Sequence, residues 1–214
     1  MKQNVIMQLE LLVQRYPELV CCKQEIEQAF HIISSCYENG GKLILAGNGG
    51  SCADAEHIVG ELMKGFKRPR PLSNEMTAKL TAVDTERGAV LAAKLQQGLP
   101  AIALSSHPSL NTAFMNDVDG NLIYAQQLSV LGNAGDVFIG ISTSGNAKNI
   151  YDAAVVAKAN EMKVIALSGK DGGKLKKIAD VSLIMPNNET YQIQELHLPV
   201  YHCLCLMLEE HFFG

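Results

Sequence analysis

KLILAGNGGSCADAEHIVGEL, residues 42–62, decides the fold. KLILAG (42–47) is a short apolar strand and GNGGS (47–51) a glycine-rich turn. SCADAEHIVGELMKGF (51–66) carries apolar residues at helical spacing, with Ser51 placed as N-cap and Asp54 in the first turn, near the positive end of the dipole. An apolar strand that turns directly into an amphipathic helix is the start of a β–α unit of a parallel sheet. Downstream the pattern repeats. AIALSS (101–106), DVFIGIS (136–142), KVIALSG (163–169) and VSLIMP (181–186) read as further strands. SLNTAFMND (109–117), LIYAQQLSVLG (122–132), NAKNIYDAAVVAKANEM (146–162), a short segment from Gly173 and a long closing segment near 190–212 read as helices. Upstream, residues 3–16 and 21–39 are helical, broken near Pro17 and ended by Gly40-Gly41. Residues 67–98 are the least patterned: RPRP and the polar stretch to Asn74 predict a loop, and ERGAVLAAKLQQ (86–97) a helix.

Five strands alternating with helices predict an α/β fold, a three-layer sandwich with a central five-stranded parallel sheet flanked by helices. Residues 1–214 form one domain, with helices in 1–40 preceding an α/β core and a C-terminal helix in 41–214. Such sheets bind ligands beyond the carboxyl ends of their strands, so the segments after strands one and three are the places to search.

Composition narrows the function. The chain has 47% hydrophobic and 19% charged residues, which excludes disordered and fibrous classes, and its formal charge of −4 argues against nucleic acid as a partner. No apolar run reaches the roughly 18 residues that span a bilayer, and Glu10 and Arg15 interrupt the N-terminal apolar pattern, so neither a membrane partner nor a signal peptide is expected and the localisation expected is cytoplasmic. Six cysteines without a CxxC pair read as reduced, mostly buried thiols.

Two turns have the chemistry of anion sites. In GNGGS, Gly47, Gly49 and Gly50 allow close approach of a ligand, Asn48 and Ser51 add polar groups, and free N–H groups at a helix start favour an anion. In STSGN (142–146), Ser142, Thr143 and Ser144 offer hydroxyls beside a glycine and a second helix start. Either alone is an ordinary turn or cap; two in one parallel sheet point to a phosphoryl group. His57 and Glu61, at i and i+4, reach one point from the helix that GNGGS opens. Gln192, Gln194, Glu195, His197 and His202 crowd the otherwise apolar closing helix, where Pro199 predicts a kink or a late start and His211 an exposed end. Gln194 and His202 are about 12 Å apart along an ideal helix, and spacing alone does not say which of these residues share an ion.

GNGGSCADAEHIVGEL, ISTSGN, KVIALSGKDGG and IQELHLPVYH together resemble the sugar isomerase (SIS) domain family, and within it the phosphoheptose isomerase group, over nearly the whole chain. The resemblance implies a flavodoxin-like or Rossmann-like SIS fold. It also implies a homotetramer, with N-terminal helices in its packing and sites at subunit interfaces, acting on a phosphorylated sugar. The reaction expected is conversion of sedoheptulose 7-phosphate to D-glycero-D-manno-heptose 7-phosphate through an enediol, the first step of activated heptose biosynthesis. Carried over by position, Asn48, Gly49, Gly50, Ser51, Glu61, Asn116, Asp117, Ser142, Thr143, Ser144 and Gln194 are substrate contacts. His57, Glu61, Gln194 and His202 are ligands of one zinc ion, partly or exchangeably occupied, and Glu61 and His202 are the acid–base pair. Two departures stand out: Ala147 replaces a serine usual after STSGN, and 67–98 is longer than the family's connection. Two alternatives follow, an SIS enzyme or sensor for another phosphosugar, and a replication-initiator-binding regulator. That regulator group typically lacks the acid and histidine found here at 61 and 202.

Overall fold

The computed structural model describes all of residues 1–214. Strands β1 (Leu43–Gly47), β2 (Ala101–Ala103), β3 (Val137–Ile141), β4 (Lys163–Gly169) and β5 (Val181–Met185) form one parallel sheet in the order β2-β1-β3-β4-β5. Every residue of β1 and β3 is buried, as the continuous apolar runs require. Alternate strand residues feed opposite faces. Leu43, Leu45, Ile139 and Ile165 join the larger core with helices α1 (Gln3–Arg15), α2 (Lys23–Glu38), α3 (Gly50–Met63) and α9 (Thr190–Phe213). Ile44, Ala46, Phe138 and Val164 join the smaller core under α7 (Ile123–Leu131) and α8 (Lys148–Ala159). The three-layer α/β expectation holds. Within one chain α1 and α2 are already core elements, through Val5, Leu9, Ile26 and Phe30, while Met7 and Leu11 on α1 stay exposed.

Residues 67–98 depart from the sequence reading. A second helix, α4 (Asn74–Val83), precedes α5 (Thr85–Lys94), and the two form an antiparallel hairpin capped by the Ser73 and Asp84 side chains. The hairpin stands clear of the core: no α4 residue is buried and Gly88 is the only buried residue of α5. Two other readings are corrected. α9 starts at Thr190 and continues through Pro199, whose missing N–H leaves the exposed Glu195 carbonyl to solvent, so there is no late start. His211 is not a frayed end: its ring is 2.7 Å from Glu38 Oε1 and its carbonyl accepts from Lys2 Nζ.

The stretch from α3 to the hairpin is pinned by buried charge. Glu209 accepts the backbone N–H groups of Phe66, Lys67 and Arg68 and pairs at 2.8 Å with Arg70, both side chains fully buried. Arg70 Nη1 in turn donates to the Leu62 carbonyl at the end of α3 (2.8 Å). Burial pushes the Glu209 carboxyl up, but the N–H groups and Arg70 outweigh it and hold it below the ordinary glutamate range; Arg68 does the same for Glu210. Glu209→Ala strands a buried guanidinium and three amides and is expected to cost about 3–5 kcal/mol in urea unfolding; a loss under about 1 kcal/mol would show that this pair does not hold the loop. Because the folded carboxyls lie below their unfolded values, this stabilisation is full at neutral pH and is lost as pH falls through the folded values. The acid limb of the wild-type stability curve should therefore flatten in Glu209→Ala.

Candidate active site

Because β1 and β3 are neighbours with Gly47 opposite Ile141, the two turns emerge side by side at the carboxyl edge. This is the switch point of the β2-β1-β3 order, where open α/β sheets hold ligands. Asn48 and Asn149 exchange two amide hydrogen bonds of 2.9 Å, tying the first turn to the start of α8. Gly49, with φ +56 and ψ −121, is the N-cap of α3 in a conformation that side chains resist. Ser51 is therefore not the cap: it sits buried inside the first turn. Gly47 is held from the far side, its carbonyl accepting from Tyr124 Oη at 2.8 Å.

In the second turn Ser142 is buried and its Oγ accepts from the Ala147 N–H at 3.4 Å, while Thr143 and Ser144 stay partly open. The helix begins at Lys148, with Ala147 as an N-cap that offers no side-chain oxygen. Gly145 has φ +64, and a Cβ there would collide with the Gly172 carbonyl, so the STSG turn is braced by the glycine loop after β4. Asn116 and Asp117 lie exposed on the π-helical segment after α6 (Pro108–Phe114), bonded to each other at 2.9 Å and to neither turn. Gln194 lies against Gly50, where a Cβ would be 2.6 Å from its Nε2.

The proton-handling groups lie farther along the same two helices. His57 Nε2 is 3.2 Å from Glu61 Oε1 and 3.4 Å from His202 Nε2. Lys64 Nζ approaches the other Glu61 oxygen at 3.3 Å, and the Phe66 ring lies against His202. Burial, the neighbouring His57 and the more distant Arg15 lower the His202 imidazole, against Glu61, which raises it. On its other side His57 Nδ1 is 3.0 Å from Tyr201 Oη, which donates to Asp54 Oδ1 at 3.2 Å. Burial, together with Asp54, raises the Tyr201 phenol, so it keeps its proton; burial also raises Asp54, against the Tyr201 bond and His57. His197, one of the polar crowd on α9, is a core residue: its Nε2–H donates to the Ser168 carbonyl and burial pushes it down to about 4. Of the four residues taken as zinc ligands, the structure groups His57, Glu61 and His202. Gln194 makes no hydrogen bond to any of them in this arrangement. Asp54 as more than a helix-start acid, Tyr201 and the Gly172–Gly173 brace escaped the sequence reading; a tyrosine on an apolar helix face reads as packing.

Donors held by a tetrahedral zinc at about 2.0–2.1 Å lie about 3.3 Å apart, the separation of the His57–Glu61 and His57–His202 pairs. Two imidazoles and a carboxylate suit that ion. No three such groups close around one point in this conformation.

The sequence pattern of the SIS domain matches residues 19–97 and 86–169, and the chain belongs to the SIS domain family. Phosphoheptose isomerases are its similar curated relatives: that of Helicobacter pylori (strain P12) is 38% identical over 190 residues, 89% of this chain and 85% of the relative. That of Helicobacter hepaticus is 41% identical over 184 residues, 86% and 81% of the two chains. The solved phosphoheptose isomerase from Francisella tularensis superposes with a TM-score of 0.75 at 33% identity, covering 94% of each chain.

Gly145→Ala tests the brace. It should unseat the STSG turn and lower sugar-phosphate affinity about 5- to 150-fold by calorimetry, since a strained, colliding Cβ costs on the order of 1–3 kcal/mol; unchanged affinity would exclude the turn as the phosphate grip.

Proposed function

We propose that this chain is an aldose–ketose isomerase that interconverts sedoheptulose 7-phosphate and D-glycero-D-manno-heptose 7-phosphate, the first step of activated heptose biosynthesis. The observation that carries the mechanism is that Glu61 and His202 each lie within 3.4 Å of His57, on helices whose starts bear the glycine turn and Gln194. Ser142, Thr143 and Ser144 hold the phosphoryl end, and Asn48, Gly49, Gly50, Ser51, Asn116, Asp117 and Gln194 orient the polyol. Binding the remote phosphate fixes the reacting carbons against the base. Glu61 removes the proton from the carbon beside the carbonyl and returns it to the neighbouring carbon. His202 carries the second proton between the two oxygens of the enediol. A zinc ion held by His57, Glu61 and His202 would supply Lewis-acid stabilisation of developing oxyanion charge; Gln194 as a fourth ligand rests on the family resemblance.

His57 and Glu61 lie about 10 and 16 Å beyond Gly50 along an ideal helix. A homotetramer in which a neighbouring subunit closes this span is part of the proposal, supported by the exposed Met7, Leu11 and Leu198 on α1 and α9. No helix is long and apolar enough to cross a membrane; the cytoplasm is proposed because all six cysteines are free thiols.

Purified protein incubated with sedoheptulose 7-phosphate and followed by NMR should form the aldose. Turnover of a different phosphosugar instead would move the chain to another SIS activity, and binding without turnover to a sensor or regulator. Glu61→Gln should lower kcat by about 10²–10⁴ while phosphosugar affinity stays within a few-fold; retained turnover excludes Glu61 as the base. A sample shown by elemental analysis to be metal-free should lose most of its rate and regain it with zinc. Full activity in that sample would rule out a required ion.

A further inference from the structure

Tyr201 is the one residue that joins the two site helices through a side-chain hydroxyl shared by His57 and Asp54. A phenol has one proton. Here it points to Asp54 Oδ1, a carboxylate oxygen, and the second Asp54 oxygen is buried without any other partner. The Tyr201 oxygen then faces His57 Nδ1 only as an acceptor, so the proton between them sits on Nδ1. In that tautomer His57 presents an unshared electron pair at Nε2, which lies 3.4 Å from His202 Nε2, in hydrogen-bonding geometry, and 3.2 Å from Glu61 Oε1.

We propose that Tyr201, backed by Asp54, is a positioning residue that fixes His57 in the Nδ1–H tautomer and so aims its Nε2 lone pair into the site. The inference rests on the site described above as the place of zinc binding, but its first consequence concerns the metal-free protein. Carboxylate and hydroxyl partners behind a ligating imidazole orient the ring and raise its basicity, and losing one typically weakens metal binding by about 10–100-fold. The device is local to the α3–α9 contact, because Asp54 and His57 are three residues apart on α3 and Tyr201 crosses to them from α9.

The test reads the His57 tautomer by long-range ¹H–¹⁵N correlation in metal-free, histidine-labelled protein in mildly alkaline buffer. Zinc affinity is measured in parallel by competition with a chromophoric chelator. Wild type should show His57 as the Nδ1–H form. Tyr201→Phe keeps the ring and should mix the tautomers and weaken zinc by about 10–100-fold. Asp54→Asn lets an amide N–H donate to Tyr201, whose proton then turns to His57 Nδ1, and should shift the ring toward Nε2–H. Wild-type His57 as Nε2–H, or the same tautomer in all three proteins, overturns the proposal; so does a loss of zinc affinity without a tautomer change, which would make Tyr201 a packing residue only. If Tyr201→Phe does not fold, Asp54→Asn decides on the same readout. Absence of sedoheptulose 7-phosphate turnover would refute the functional reading and leave the tautomer result standing.

Discussion

Helices α3 and α9 lie side by side and run in the same direction, and the rest of the molecule is arranged around that contact. At their starts Gly50 has no side chain and Gln194 fills the space a Cβ would take. Two turns on, Tyr201 and His202 meet Asp54 and His57. At the far end Glu209 gathers the backbone as it leaves α3, and Arg70 closes over the last α3 carbonyls. One parallel pairing thus sets the Gly50–Gln194 contact, the His57 cluster and the exit of the chain in fixed sequence along two helices.

The residue types along that contact divide by charge. The sheet edge supplies two turns rich in N–H and hydroxyl groups, suited to an anion, while the helix contact supplies a carboxylate and two imidazoles, suited to a cation or a moving proton. A phosphorylated sugar with an enolisable carbonyl is a molecule with both requirements at opposite ends. The net charge of −4 makes this division local: the proposed anion site would rely on oriented dipoles, with no broad positive field.

Much of the site was legible because the residues involved violate their surroundings. Glycines and serines after strands, and histidines on an apolar helix, are unexpected enough to be read. Where the surroundings were ordinary, the reading failed. Helix α4 carries Met76, Leu80 and Val83 at helical spacing, but over only ten residues behind a proline-rich stretch, and it buries none of them. Ser51 has the residue type of a cap, yet the glycine-only conformation at Gly49 takes that position. Pro199 suggested an interruption that α9 absorbs, since the carbonyl it orphans faces solvent. The spacing of Gln194 and His202 along the closing helix was visible, but which turn of α9 faces which turn of α3 was not.

The sequence by itself determined the parallel α/β sheet and the two polar, glycine-bearing turns after its first and third strands, because strand and helix periods and glycine requirements act over short stretches of chain. Only the tertiary structure decided that Glu61 and His202 each contact His57 while Gln194 lies with Gly50, and that Tyr201 links His57 to Asp54. Those outcomes depend on the relative translation of two helices more than a hundred residues apart, which is settled by core packing and leaves no periodic trace in either segment.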